Sequence, residues 1–200
     1  MTLLITTIWI FQLIITGMHN LKKYGNTKHE MFKDGVKNCH IFNNITKNSS
    51  MDLILAKTIK GLNKFISKNH IDLIVVHGDR VESLAGAICG CLNNIKVAHL
   101  EGGEISGTVD EILRHSISKL SHLHFVTNEI AKNRLLQMGE DRNSIFVIGS
   151  PDVDIILNKK LININLVKKK YNINFENYGI CIFHPVTTEI SKIEYQINSL

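Results

Sequence analysis

The 200-residue sequence has four cysteines but no CxxC pair and no spacing of the kind that holds zinc. Cys39, Cys89, Cys91 and Cys181 therefore read as reduced, buried thiols of a cytoplasmic protein and not as a disulfide framework. Runs of basic residues with interleaved aromatics are also missing. The VKKKY stretch at 167–171 is too short to mark a nucleic-acid surface and reads as a solvated helix face. No apolar run reaches the roughly 20 residues that a membrane-spanning helix needs. The nearest, MTLLITTIWIFQLIIT at 1–16, is interrupted by Thr and Gln and lacks the basic leader of an export signal. His122 and His124 form an HxH without a second ligand pair nearby, so no metal site is expected. A charged fraction of 20% beside 44% hydrophobic residues leaves little room for extensive disorder.

What the chain does have is an alternation of short β-branched runs with longer helical stretches. The stretch Ile71–His124 contains two strand-loop-helix units in succession, with HGDR after the first strand and HLEGGE after the second. Ile71–Val76 and Ile95–Leu100 suit strands buried on both faces of a parallel sheet. Arg80–Leu92 and Asp110–Leu120 are long enough for helices, and Ala85, Gly86, Ala87 and Gly90 let the first lie close to the sheet. In an open α/β sheet, ligands gather beyond the carboxyl ends of the strands, where helix N-termini offer unpaired N–H groups. Both acidic loops fall at that edge.

On either side the alternation continues. Phe11–Thr16 reads as a strand, with the loop Thr16–His19 after it and a helix from Lys28; residues 1–10 carry no assignable pattern. Cys39–Phe42 is a short strand, and Ser49 or Ser50 can cap a helix from Met51 to about Lys68. Phe125–Thr127 and Ile145–Ile148 are further strands, separated by a helix over Glu129–Met138, and Pro151 suits the first turn of a helix to about Leu157. Residues 159–178 hold one amphipathic helix. Tyr178–Phe183 begins a new strand with His184–Glu189 as its edge loop. The alternation predicts an α/β, doubly wound, Rossmann-like parallel sheet.

Three acids are thereby delivered to one cleft edge. Asp79 follows one strand, Glu101 the next, and Asp110 opens the helix beyond the Gly-rich turn. Crowded carboxylates shift at least one pKa upward, so a single site can hold both an acid and a base. Asp79 and Asp110 could equally serve as helix caps. Arg80 offers a planar fork for an anion or a surface salt bridge, and the formal charge of +5 favours an anionic ligand.

TGMH at 16–19, HGDR at 77–80, HLEGGEISGTVDEILRH at 99–115, GSPD at 149–152 and HPVTTE at 184–189 together resemble the hydrolysing UDP-sugar 2-epimerases of sialic and legionaminic acid synthesis. The likeness runs from about residue 12 to the end. It is strongest toward members acting on UDP-N,N'-diacetylbacillosamine, with those using UDP-N-acetylglucosamine second. The resemblance implies a GT-B type fold, two Rossmann-like domains facing across a cleft, of which this chain is the amino-terminal half, truncated at both ends. No Arg-Ala-Asp-Tyr type loop precedes the first strand. Residues 1–158 would form the amino-terminal domain without its first strand, 159–178 the interdomain crossover, and 179–200 the start of the second domain.

The same resemblance implies loss of UDP and of the C2 proton to give a 2-acetamidoglycal, followed by addition of water to give the manno sugar. Asp79, Glu101 and Asp110 match the catalytic carboxylates. His19, Arg80, Gly102, Gly103, Glu104, Ser106, Arg114, His115 and His184 match substrate-binding positions. No cofactor or metal is required. The expected partner is a UDP-sugar, with no nucleic acid and no membrane, and a homo-oligomer is expected of the full-length protein. Two other readings are a non-catalytic nucleotide-sugar-binding fragment and a glycosyltransferase of the same architecture.

Overall fold

Short β-branched runs form strands and the longer apolar-periodic stretches form the helices between them. The computed structural model describes residues 11–46, 49–158, 161–184 and 187–200. The chain divides into two units, Met1–Asp154 and Ile155–Leu200.

In the first unit β1 (Leu13–Ile15) pairs in parallel with β2 (Cys39–Ile41), and α1 (Lys28–Lys33) lies between them in sequence. After α2 (Met51–Ile66) comes a four-stranded sheet of β3 (Leu73–His77), β4 (Lys96–Leu100), β5 (Leu123–Val126) and β6 (Ile145–Val147), consecutive in order and parallel throughout. Parallel neighbours require crossovers, supplied by α3 (Val81–Leu92), α4 (Val109–Lys119) and α5 (Glu129–Gln137); α6 (Pro151–Asn158) follows β6.

Register decides which side chains meet those helices. Ile74, Val76 and Val97 pack with Leu84 and Ala87 of α3 and Ile117 of α4, while Val126 and Ile145 pack with Ala131 and Leu135 of α5. A third cluster joins Ile14 and Phe42 to α2 and to Ala85 and Cys89 of α3. The expectation of burial on both strand faces holds for β4, where Val97, Ala98 and His99 are buried in succession, and is corrected for β3. The alternate residues Leu73 and Val75 of β3 remain 36% and 57% exposed, because α3, α4 and α5 pack against the opposite face.

Close approach of α3 to the sheet depends on its glycines. A methyl group at Gly90 would run into the stiff, fully buried side chain of Val97. Gly90→Ala is expected to lose about 2 kcal/mol of stability through overpacking, although Ala is the better helix former. Urea unfolding checks this, and an unchanged midpoint would show that the α3–β4 contact yields without cost.

The second unit contains α7 (Ile164–Lys170), capped by Asn163, a 3-10 stretch over Thr187–Lys192, and α8 (Ile193–Asn198). The strand expected over Tyr178–Phe183 is not formed; this segment is irregular, with Ile180 and Ile182 exposed. A lone strand has no neighbour to take its N–H and C=O groups, and no other strand is described in this unit. The first ten residues of the 1–16 stretch, and Pro185 and Val186 of the 184–189 loop, lie outside the described residues. Among the described residues no helix is long and apolar enough to cross a membrane.

Candidate functional site

Three successive residues at the carboxyl end of β3 are tied to three different places. His77 Nε2 lies 2.8 Å from Glu101 Oε2. The Gly78 carbonyl accepts a hydrogen bond of 2.8 Å from His99 Nε2. Asp79 forms a partly buried ion pair with the Arg114 guanidinium, whose other terminal nitrogen donates to the Glu104 carbonyl at 3.0 Å. Gly78 turns the chain between the two functional side chains with φ +71°, a conformation that suits glycine.

Glu101 is held from several strands at once. Its N–H donates to Phe125 O of β5 at 2.8 Å, His77 approaches one carboxylate oxygen, and Ser150 Oγ, after β6, donates to the other at 3.4 Å. Its φ of +61° is left-handed, which costs a non-glycine residue about 1 kcal/mol. Such strain persists only where its surroundings enforce it, and it concentrates at functional sites.

Asp110 is exposed in the first turn of α4. The cap of that helix is Thr108, whose hydroxyl accepts from Asp110 N at 3.3 Å and lies 3.3 Å from the Asp110 carboxylate. Glu111 accepts from the N–H groups of Ser106 and Gly107, both at 2.8 Å, and these bonds hold its carboxyl below the usual range. Neither Asp79 nor Asp110 is itself a side-chain cap: Arg80 occupies the N-cap position of α3 without a capping bond. Two separate pairs, Glu101 with His77 and Asp79 with Arg114, thus lie on either side of Gly78, and Asp110 precedes Arg114 by one helical turn.

Other expected site residues are placed differently. Arg80 is exposed and points its Nε toward Glu82 at 3.4 Å, so the guanidinium beside the acids is that of Arg114. Gly102 and Gly103 are buried, and packing accounts for both: a Cβ at Gly102 would lie 2.8 Å from Ser118 Oγ and 2.9 Å from His99 Nδ1, and one at Gly103 would meet the Ala131 carbonyl at 2.5 Å. Glu104 is a tie to the β5 end, accepting from Thr127 and from Asn128. Ser106 contributes its backbone N–H to Glu111. His115 is partly buried on α4, its Nδ1 unpartnered. His19 is exposed and hydrogen-bonded to Thr27 at 2.7 Å. His184 lies exposed in the second unit.

Three residues escaped the sequence reading: His77, His99 and Ser150. His77 carried a signal, since it immediately precedes the Gly-Asp pair at the strand end, and Ser150 lies in the turn after β6. His99 opens the HLEGGE motif, but no role for its side chain is assigned from the sequence. A separate surface hollow, lined by residues including His40, Phe42, Lys64 and Phe65, contains none of the three acids. Among the described residues no group of three His, Cys, Asp or Glu side chains is placed to hold a metal ion.

Residues 7–200 match the family model described as UDP-N-acetylglucosamine 2-epimerase. A UDP-N-acetylglucosamine 2-epimerase of Neisseria meningitidis is 48% identical over 88% of this chain and 47% of its own length. A UDP-N,N'-diacetylbacillosamine 2-epimerase (hydrolyzing) of Legionella pneumophila is 40% identical over 93% of this chain and 50% of its own. The solved UDP-GlcNAc 2-epimerase of Methanocaldococcus jannaschii superposes with a TM-score of 0.66 at 27% identity, covering 82% of this chain and 45% of that one. The chain spans about half the length of the curated relatives it matches. The fold agrees with the expected α/β, parallel, Rossmann-like architecture.

Proposed function

This chain belongs to the UDP-N-acetylglucosamine 2-epimerase family, and from that premise we propose that it carries the proton-transfer machinery of a hydrolysing UDP-sugar 2-epimerase. The observation that supports this most directly is the two ion pairs at the carboxyl edge of the sheet, Glu101 with His77 and Asp79 with Arg114. Inversion at C2 through a glycal requires one group to remove the proton and another, on the opposite face, to return it. Glu101, with His77 available to receive its proton, takes the hydrogen from C2 as the C1–O bond breaks and UDP departs. Asp110, exposed at the start of α4, returns a proton to the other face of C2. Asp79, oriented by Arg114, accepts a proton from the water whose oxygen bonds to C1, and solvent restores the starting protonation of all three.

His19, Arg80, Ser106, His115 and His184 remain assigned to sugar and nucleotide contacts. Gly102, Gly103 and Glu104 instead shape the loop that carries Glu101. The division into a Rossmann-like domain over 1–158, a crossover over 159–178 and the start of a second domain over 179–200 belongs to the same proposal, as does homo-oligomeric assembly of the full-length protein. The sugar ranked first from the motifs was the diacetylbacillosamine. The identities of 48% and 40% now favour UDP-N-acetylglucosamine as substrate, giving N-acetylmannosamine.

Incubating the chain in D2O with each nucleotide sugar, and following the reaction by NMR, tests this. The expected result is UDP release with one deuterium at C2 of a free manno-configured sugar, faster from UDP-N-acetylglucosamine. Release without deuterium at C2 would rule out the glycal route. A second reading is a domain that binds the nucleotide sugar without turning it over; calorimetric binding with no UDP release would select it.

A further inference from the structure

We propose that His99 is a positioning residue whose Nε2–H fixes the Gly78 carbonyl, and with it the setting of His77 and Asp79 on either side. His99 is fully buried in β4, in register with Val76 of β3. Its Nε2 lies 2.8 Å from Gly78 O, and a carbonyl oxygen can only accept, so that nitrogen carries the proton. Its Nδ1 lies 3.0 Å from Ser118 Oγ of α4, which then donates. One neutral tautomer satisfies both contacts; an imidazolium would leave Nδ1–H facing a hydroxyl that must reverse, inside a site without water access. Burial depresses the ring pKa to about 4, reinforced by the nearby Arg114 guanidinium, against the opposing pull of the Gly78 carbonyl.

The surroundings are built for this ring. Gly102 has no Cβ at the point where one would strike both Ser118 Oγ and His99 Nδ1, so the glycine next to Glu101 admits the pair. Gly78 is left-handed and lies between two side chains of the site, so its peptide sets the exit direction of both. If the carbonyl swings, His77 leaves Glu101 and Asp79 leaves Arg114. A displacement of about 1 Å in a catalytic group can cost on the order of a hundredfold in rate. This role deepens the epimerase reading, yet it can be tested without turnover.

The decisive measurements are on the 200-residue chain and its His99→Gln, His99→Asn and His99→Leu variants. Long-range proton–nitrogen NMR should show the Nε2–H tautomer of His99 in the parent, and an Nδ1–H tautomer would overturn the proposal. The Arg114 guanidinium protons report the Asp79 pair. They should exchange with water at parent-like rates in His99→Gln, whose amide nitrogen reaches the Gly78 carbonyl, and about tenfold faster or more in His99→Asn and His99→Leu. Equal exchange in all four proteins would also overturn it. Should His99→Leu fail to fold, the parent tautomer and the Gln–Asn comparison still decide. Where UDP release is measurable, kcat should fall roughly tenfold to a hundredfold in His99→Asn with KM within about twofold, and recover in His99→Gln. If the parent releases no UDP, the epimerase reading fails while the tautomer and exchange results still judge His99.

Discussion

A Glu101→Gln chain is expected to release UDP from its nucleotide sugar about 10² to 10⁴ times more slowly than the parent, the range lost with a general acid or base, while melting at nearly the same temperature. The substitution is close to isosteric. Its amide oxygen can accept from His77, its NH2 can face Ser150, and the left-handed backbone at φ +61° is as demanding of Gln as of Glu. What disappears is the ability to carry a proton. Single-turnover UDP release and a thermal melt, measured side by side, separate chemistry from folding. If the variant turns over within about twofold of the parent, Glu101 is not the group that takes the C2 proton.

That expectation starts from a loop whose position was legible in the sequence and whose conformation was not. Alternating β-branched runs and helical stretches placed Asp79, Glu101 and Asp110 at carboxyl strand ends or the helix start beyond, because in a parallel sheet every crossover returns the chain to the same edge. The choice of guanidinium could not be read this way. Arg80 adjoins Asp79 in sequence but faces Glu82 across the first turn of α3, whereas Arg114 reaches Asp79 from 35 residues away. Glu101 gave no sign of its positive φ, since glycine is the residue that normally marks it, and here the glycines follow.

The strand over Tyr178–Phe183 was read from composition alone. Apolar, β-branched residues favour a pleated surface only when a neighbouring strand supplies one, and the second unit shows none among its described residues. Leu73 and Val75 teach the same lesson about faces. A continuous apolar run signals two covered faces, yet coverage comes from helices whose packing side the run does not specify.

Acidification from pH 7 to about 4 should cost the first unit roughly 3 kcal/mol through His99 alone, and the direction follows from its buried tautomer. The ring titrates near 6.5 when unfolded and near 4 when folded, and each pKa unit corresponds to about 1.4 kcal/mol. Between these values the unfolded chain binds a proton that the folded one refuses. Stability from this source is therefore complete above pH 6.5, falls as the pH drops toward 4, and changes no further below it. His124 acts in the same direction, its pKa lowered by burial despite the nearby Glu140 carboxylate. Carboxylates such as Glu111 add their own loss at the acid end. A comparison isolates His99: urea unfolding of the parent and of His99→Gln at pH 7, 5.5 and 4.5, values chosen to span roughly the two pKa values. The parent should lose stability more steeply, so that its advantage over the variant shrinks or reverses on acidification. Parallel profiles would mean that the ring is already charged in the folded protein, or reached by water, and that the Gly78 carbonyl is held by something else.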